Sequence, residues 1–185
     1  MKEAGIQPNT ITYSAAISAC EKGNQWKEAL ALLSKMKQED IKADTITYNA
    51  AISACEKGNQ WEEAKNLFNE EINHLYLPVQ SDSSVLDFHV NKRYTQNVIT
   101  TMYPNVSHIP GVPLSLAKVM LSIYLDTPRD RFDLVVGQHG DNILKDGLLT
   151  FMNQKFSQYP LVSSLKPGCL SFSKGSETHL KPPKK

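Results

Sequence analysis

Residues 11–26 read ITYSAAISACEKGNQW, and residues 46–61 read ITYNAAISACEKGNQW. The two stretches are offset by 35 residues (positions 11 and 46) and differ only where Ser14 is replaced by Asn49. A long segment that recurs at a fixed offset indicates one supersecondary unit that is copied and stacked. The repeat therefore predicts a solenoid for the first part of the chain.

The spacing of apolar residues predicts that each unit is a pair of helices. Tyr13, Ile17 and Cys20 fall on one side of a helix, and KGNQ (22–25) then interrupts the pattern. A second apolar stripe follows at the spacing of an amphipathic helix, and its members are Trp26, Ala29, Leu30, Leu33 and Met36. Each unit is therefore predicted to be a helical hairpin.

The repeats set the boundaries of the first part of the chain. Residues 1–9 resemble the end of a preceding unit, so we assign them to a truncated repeat, 10–44 to a full repeat and 45–79 to a terminal repeat. The terminal copy is divergent, with Lys65 and Glu71 at positions that are apolar in the first copy. Polar replacements are expected there, because a last repeat has no successor to cover its outer face.

The second part of the chain has a different pattern. Short strand-like runs at 85–90, 132–137 and 168–172 alternate with helical patterns at 113–125 and 143–156. This order predicts a small layered α/β domain. The predicted fold class is thus an α-solenoid of helical hairpins followed by a small α/β domain.

Four further segments complete the predicted domain organisation. A polar linker separates the two parts, an irregular stretch interrupts the α/β domain after its first strand, and a basic tail ends the chain. The stretch is too long for a compact loop, and the composition of the tail favours disorder. The assignments are linker 80–84, α/β domain 85–173, insertion at about 91–112 and tail 174–185.

Composition excludes several classes of protein. The chain is 41% hydrophobic and carries a net charge of +1, as expected for a soluble globular protein. Its three cysteines are too few for a disulfide scaffold, and no Cys/His spacing indicates zinc. No apolar run approaches the roughly 20 residues of a membrane span. The sequence therefore predicts no cofactor, no metal ion and no membrane partner.

Charge differs between the two parts. Residues 1–79 carry more acidic than basic side chains, whereas residues 80–185 carry more basic than acidic ones. Attraction of an anionic partner is therefore expected mainly from the second part.

The sequence TYSAAISACEKGNQWKEALALLSKMKQEDIKAD (12–44), with its near-copy from Thr45, resembles the pentatricopeptide repeat (PPR) family. The resemblance covers residues 1 to about 79. It implies helical repeats that read single-stranded RNA at one base per repeat. It also implies RNA processing or expression in an organelle, the chloroplast or the mitochondrion.

The resemblance implies which residues face the RNA. The reading pair of the first full repeat is Ser14 with Asp44, which by family analogy favours guanine. Asn49 would favour a pyrimidine, but its partner position is Val79, which offers no side-chain hydrogen bond. The varying position of the repeat is therefore also the one expected to contact the ligand.

Three further residues belong to this implied interface. Asn9 ends the truncated repeat at the equivalent of Asp44, and its base cannot be named. Ile11 and Ile46 match the aliphatic walls between which the family holds each base. The alternative is that Ser14 and Asn49 are solvated helix residues without a role in binding and that the repeats are a scaffold for protein partners. The acidic character of the first part favours that alternative, because phosphate contacts usually supply much of the affinity for nucleic acid.

LDFH (86–89), VGQHG (136–140) and PGCL (167–170) resemble motifs of the Smr domain, which often follows PPR arrays. In a strand, Leu86 and Phe88 would face the core and Asp87 and His89 would project together from the other face. A carboxylate beside an imidazole suits acid–base catalysis or phosphate binding. The resemblance therefore implies an endoribonuclease, guided by the repeats, as the alternative to RNA binding without cleavage.

The same resemblance implies a phosphate contact at the second motif. Gly137 would allow close backbone approach to a phosphate, and His139 and Gly140 are its predicted neighbours. The motif departs from the family, which has Thr at the position of Val136 and a second Gly at the position of His139. The insertion after LDFH is a further departure, and both favour a vestigial RNA-binding domain over a nuclease.

Overall fold

The chain folds into two compact units, Met1–Pro78 and Val79–Lys185. A computed structural model describes residues 7–72, 85–88, 112–136, 143–163 and 168–175. The predicted linker at 80–84 lies outside the described residues, as do all but the last residue of the predicted insertion and all but the first two of the predicted tail. Within the described ranges, no helix is both long enough and apolar enough to cross a membrane.

The first unit consists of two helical hairpins, as the repeat predicted. Its elements are α1 (Thr10–Lys22), α2 (Trp26–Gln38), α3 (Thr45–Lys57) and α4 (Trp61–Leu67), followed by a π-helical turn (Phe68–Ile72). The helix α1 contacts both α2 and α3, and α3 also contacts α2 and α4. Consecutive hairpins therefore stack through their first helices.

Side chains at the helix starts explain why the hairpins begin where they do. Asn9 precedes α1, and its Oδ1 accepts a hydrogen bond from the Thr12 backbone N–H at 3.0 Å. Asp44 precedes α3 and accepts from the Thr47 N–H at 2.8 Å. Both threonine hydroxyls also accept a bond from the backbone of the capping residue, which completes a capping box.

The break at KGNQ is a Schellman turn. Asn24 adopts a left-handed conformation with φ of 55°, which asparagine tolerates better than most residues. The Gln25 N–H then donates to the Cys20 carbonyl at 2.8 Å, and the Asn24 N–H donates to the Glu21 carbonyl at 3.2 Å. These bonds satisfy the last carbonyls of α1 and end the helix. The second hairpin repeats the turn with Asn59 in the same conformation.

Burial differs between α1 and α3 although their sequences are nearly identical. Ala51 and Ala54 in α3 are fully buried, whereas their counterparts Ala16 and Ala19 in α1 are half-buried and exposed. The reason is that α1 covers α3, while among the described residues no hairpin precedes α1. The core of the unit therefore lies around α3.

Cys20 and Cys55 show the same difference. Cys55 is fully buried and Cys20 is half-buried, and neither forms a disulfide. Burial, with a smaller contribution from the Glu63 carboxylate, raises the pKa of the Cys55 thiol to about 11. Cys55 is therefore a protonated core residue at neutral pH rather than a reactive thiolate.

Polar contacts also join the two hairpins. The Glu21 carboxylate on α1 accepts hydrogen bonds from the Ser53 hydroxyl and from the Lys57 ammonium, both at 2.9 Å. Ser53 is buried, so this contact is partly shielded from water. Glu21 thus links the facing surfaces of α1 and α3.

The described part of the second unit is a mixed four-stranded sheet with two helices. Its elements are β1 (Val85–Asp87), α5 (Leu114–Asp126), β2 (Arg131–Val135), α6 (Ile143–Lys155), β3 (Leu161–Ser163) and β4 (Cys169–Ser173). The strand order is β1-β2-β4-β3. β1 and β2 are parallel, and β4 is antiparallel to both of its neighbours. The sequence patterns predicted the order of elements except β3, which they did not indicate.

One face of the sheet carries the core of the second unit. Four side chains on this face are each at most 1% exposed: Phe132 and Leu134 on β2, and Leu170 and Phe172 on β4. The residues between them on these strands point to the opposite face, because side chains alternate along a strand. The predicted alternation in LDFH agrees with this arrangement.

Candidate nucleic-acid interface

Two large apolar side chains lie exposed at matched positions of the repeat. Ile11, the second residue of α1, is 77% exposed, and Ile46, the second residue of α3, is 65% exposed. The residues around them in the two helices provide a core, yet neither isoleucine joins it. Exposure at both equivalent positions is what the predicted walls around a base require. Their role as walls around a base stays a prediction.

The two residues predicted at the ends of repeats are helix caps. Besides the backbone bonds described above, Asn9 Oδ1 accepts from the Thr12 hydroxyl at 3.1 Å and Asp44 Oδ1 accepts from the Thr47 hydroxyl at 2.7 Å. Asp44 is exposed, and no described residue donates a hydrogen bond to its other oxygen, Oδ2. Asp44 therefore presents an acceptor to solvent while it caps the helix.

Ser14 lies between α1 and α3 rather than on an open surface. The residue is 8% exposed. The hydroxyl oxygen is 2.8 Å from the Thr10 carbonyl and 2.6 Å from the Thr47 hydroxyl of the next hairpin. The packing of α3 against α1 covers this position, which sequence alone placed beside the ligand. A base can reach Ser14 only at the small part of the side chain that stays accessible.

Asn49 occupies the equivalent position of α3. Its side chain is half-buried, and its Oδ1 atom is enclosed. The expected partner position, Val79, lies outside the described residues. The second reading pair therefore stays a prediction.

Thr47 is a functional candidate that the sequence did not reveal. Its side chain is fully buried, and its hydroxyl contacts both Ser14 and Asp44, the two residues predicted to read one base. From sequence, Thr47 has only the role of a capping-box residue at the start of α3. Its contact with Ser14 spans 33 residues and depends on how the hairpins stack.

The motif residues of the second unit are described only in part. Leu86 and Phe88 are both 4% exposed, so they join the core as predicted. Asp87 is the last residue of β1 and pairs with Val135, the last residue of β2, in parallel register. Asp87 of the first motif and Val136 of the second therefore lie at the same end of two adjacent parallel strands.

The other predicted residues of this site, His89, Gly137, His139 and Gly140, lie outside the described residues. Their catalytic or phosphate-binding roles stay predictions. Within the described ranges, no group of three His, Cys, Asp or Glu side chains is arranged to hold a metal ion.

Comparison with known proteins gives matches within the first unit. Residues 8–57 match the PPR repeat family, and residues 46–70 match the PPR repeat. No curated protein matches the chain. The matched residues span both hairpins and include the caps, the exposed isoleucines and Ser14, and PPR repeats are in general RNA-binding helical repeats. Over residues 8–70 the first unit of this chain is therefore similar to pentatricopeptide repeats.

Proposed function

We propose that the first unit binds single-stranded RNA in a sequence-dependent manner and that the protein acts in RNA processing or expression in a chloroplast or mitochondrion. The observation that carries this proposal is the matched exposure of Ile11 and Ile46 at the starts of α1 and α3. In each helix the isoleucine follows a capping side chain, Asn9 or Asp44, by two residues. Each repeat thus combines an apolar surface with a polar group in the same helical turn.

This combination suits an unpaired base. A base is flat and apolar on its faces and carries hydrogen-bonding groups on its edge, so aliphatic side chains cover the faces while polar atoms contact the edge. Asp44 keeps one oxygen accessible for that contact. The excess of basic residues in 80–185 would supply attraction for phosphate.

Base preference should change when Ser14 becomes asparagine. We expect Ser14→Asn to weaken binding to RNAs with guanine at the read position and to strengthen binding to those with a pyrimidine, with a change in relative affinity of roughly tenfold, or about 1.4 kcal/mol. The measurement is fluorescence anisotropy of the full chain with a set of short single-stranded RNAs that differ at one base, at fixed low salt.

Ser34→Asn is the matched control. It is the same chemical change, and Ser34 is an exposed residue of α2 away from the proposed interface. It should leave base preference unchanged. An identical preference for wild type and Ser14→Asn would contradict a reading role for Ser14. Absence of binding to any RNA of the set would contradict the proposed function and favour a protein-interaction scaffold.

A second candidate function is RNA cleavage by a divergent Smr-like second unit. The observation that favours it is the parallel pairing of β1 with β2, with Asp87 opposite Val135. Residues that follow adjacent parallel strands emerge at one edge of a sheet, which is a common place for a site in α/β folds. Asp87 ends β1 and Val136 follows β2 at this edge, whereas His89 of the first motif and residues 137–140 of the second lie outside the described residues.

If the second unit cleaves RNA, His89→Ala should reduce the rate of substrate loss by about 100-fold, because general acid–base catalysis typically contributes at least that factor. Wild type and variant are incubated with one structured and one unstructured RNA, and products are resolved on a gel. His179→Ala, which makes the same change outside the motif, is the control. Equal substrate loss with wild type and His89→Ala would exclude His89 from catalysis.

A further inference from the structure

We infer that Lys118 and Lys155, which approach the Phe151 ring from two helices of the second unit, bind phosphate groups of an RNA backbone. The Lys118 Nζ atom lies 5.9 Å and the Lys155 Nζ atom 6.0 Å from the centroid of the ring. The inference rests on the proposed function and names a phosphate-binding group for it. These residues are distinct from those of the predicted motif at 136–140.

The packing of α5 against α6 places Lys118 beside the ring. The two helices follow the parallel strands β1 and β2 and contact each other. A Cβ atom at Gly147 would overlap the Leu114 side chain, so the helices touch closely at their first turns. Lys118 and Phe151 each lie four residues further along, and they also meet. The helices therefore run side by side in the same direction, and Lys118 reaches the ring across the groove between them.

Lys155 reaches the same ring from within α6. It lies four residues after Phe151, and residues at this spacing are neighbours on a helix surface. Because side chains of a helix lean toward its start, Lys155 extends back toward the ring. Phe151 is buried, whereas Lys118 is half-buried and Lys155 is exposed. Both lysine residues thus keep surface accessible to a ligand.

The contacts with the ring hold two positive charges near each other. The two Nζ atoms are at most 11.9 Å apart, which is the sum of their distances to the centroid. An aromatic ring attracts a cation but carries no net charge, so it does not neutralise the ammonium groups. Like charges at short range repel each other. An anion that contacts both groups would remove this repulsion.

Carboxylates of the same helices lie away from the ring. The single carboxylate of α5 is Asp126, eight residues after Lys118, and that of α6 is Asp146, nine residues before Lys155. At a rise of 1.5 Å per residue, these separations are about 12 Å and about 13 Å along the helix axes. The part of the helix pair around Phe151 is therefore positive, which favours an anionic ligand.

The chemistry of the lysines suits phosphate. An ammonium group has three N–H donors and no acceptor, so it can donate to phosphate oxygens while it stays near the ring. A single strand of RNA presents one phosphate per nucleotide, and contacts with phosphate carry no sequence information. Lys118 and Lys155 should therefore increase affinity for RNA of any sequence, whereas base preference depends on the repeats.

Removal of both charges should weaken RNA binding and reduce its dependence on salt. For Lys118→Gln with Lys155→Gln we expect affinity at low salt to fall about tenfold, and the slope of log K against log salt to become shallower by about 1.4, or about 0.7 for each lost contact. The ratio of affinities between RNAs that differ at one base should stay the same. Fluorescence anisotropy of the full chain at several salt concentrations measures both quantities.

Two control proteins separate a local site from a general effect of charge. Lys145→Gln with Lys174→Gln removes the same charge from described residues of the second unit outside the Phe151 group. Its affinity should change less than about threefold and its salt slope should stay close to that of the wild type. Lys118→Arg with Lys155→Arg keeps both charges and should bind as the wild type does.

Acylation of lysines tests the site in the wild-type chain, without any substitution that could disturb folding. Bound RNA should slow the acylation of Lys118 and Lys155 several-fold and leave Lys145 and Lys174 unaffected, as measured by mass spectrometry. Inorganic phosphate at the same phosphate concentration should protect none of them. Equal protection by inorganic phosphate would indicate a site for free anions and would overturn the assignment to RNA.

The outcomes separate this inference from the function on which it rests. If the wild type binds RNA and the two glutamine double variants have equal affinities and salt slopes, the inference is overturned and the proposed function stands. Acylation rates of Lys118 and Lys155 that do not change with bound RNA would have the same meaning. Failure of the wild type to bind any RNA would overturn the proposed function and the inference with it.

Discussion

Replacing Phe132 with alanine should lower the free energy of unfolding of the second unit by about 3–5 kcal/mol. Phe132 is fully buried on β2. Its ring centroid lies 5.7 Å from that of Tyr124, 5.4 Å from that of Tyr159 and 5.3 Å from that of Phe172. These partners belong to α5, to the segment before β3 and to β4, so a cavity here removes contacts between several elements at once.

The effect is measured by hydrogen exchange of the backbone amides in β2 and β4. Tryptophan fluorescence would not report on it, because both tryptophans of the chain lie in the first unit. Leu161→Ala is the control, since Leu161 lies on the outer strand β3 and is 44% exposed. It should cost less than about 1 kcal/mol. A similar increase in exchange for both variants would argue against the aromatic cluster as the centre of the core.

Replacing Gly58 with alanine should destabilise the first unit by about 1–3 kcal/mol through overpacking. A methyl group at Gly58 would lie 2.7 Å from Cγ and 3.1 Å from Cβ of Trp26, which is too close for carbon atoms. Because these Trp26 atoms are near its backbone, the ring cannot avoid the methyl by a small rotation. The two hairpins would have to separate slightly at this contact.

Gly23→Ala is the matched control, because Gly23 has the same place in the preceding hairpin. There the nearest atom to an added methyl is the Ala19 carbonyl oxygen at 3.4 Å, an ordinary contact. Gly23 and Gly58 have φ of −84° and −77°, so alanine can adopt both conformations. Gly23→Ala should be neutral or stabilise by up to about 1 kcal/mol.

Urea unfolding followed by tryptophan fluorescence compares the two variants, since Trp26 and Trp61 both lie in the first unit. The midpoint should fall for Gly58→Ala and stay or rise for Gly23→Ala. Equal midpoints would mean that the Gly58–Trp26 contact does not join the hairpins.

Local pattern was sufficient to predict the helical hairpins of the first unit. The caps Asn9 and Asp44 precede α1 and α3, and a Gly-Asn pair ends each of these helices. These features depend on residues within one turn of each other, so they are visible in sequence. In the second unit the same reasoning predicted α5, α6 and three of four strands.

Strand β3 was missed because its evidence is not local. Leu161–Ser163 is only three residues long and shows no buried alternation, since Leu161 and Val162 are both exposed. It exists as a strand because it pairs with β4, with Leu161 opposite Phe172. Pairing of this kind depends on the tertiary fold and leaves little trace in a short edge sequence.

For the candidate interface too, the sequence predicted one part and the tertiary structure decided the other. The repeat and its single difference drew attention to Ser14 and Asn49, because copied positions can be compared directly, whereas the family resemblance named Ile11 and Ile46; the roles of all four stay predictions. The environment of Ser14 was decided by the stacking of α3 on α1, which buries its hydroxyl against Thr47, 33 residues away. The nearly identical helices α1 and α3 therefore differ in burial and in hydrogen bonding. Among the described residues a hairpin packs before α3, and none packs before α1. The neighbours of a helix are set by tertiary packing rather than by its own residues.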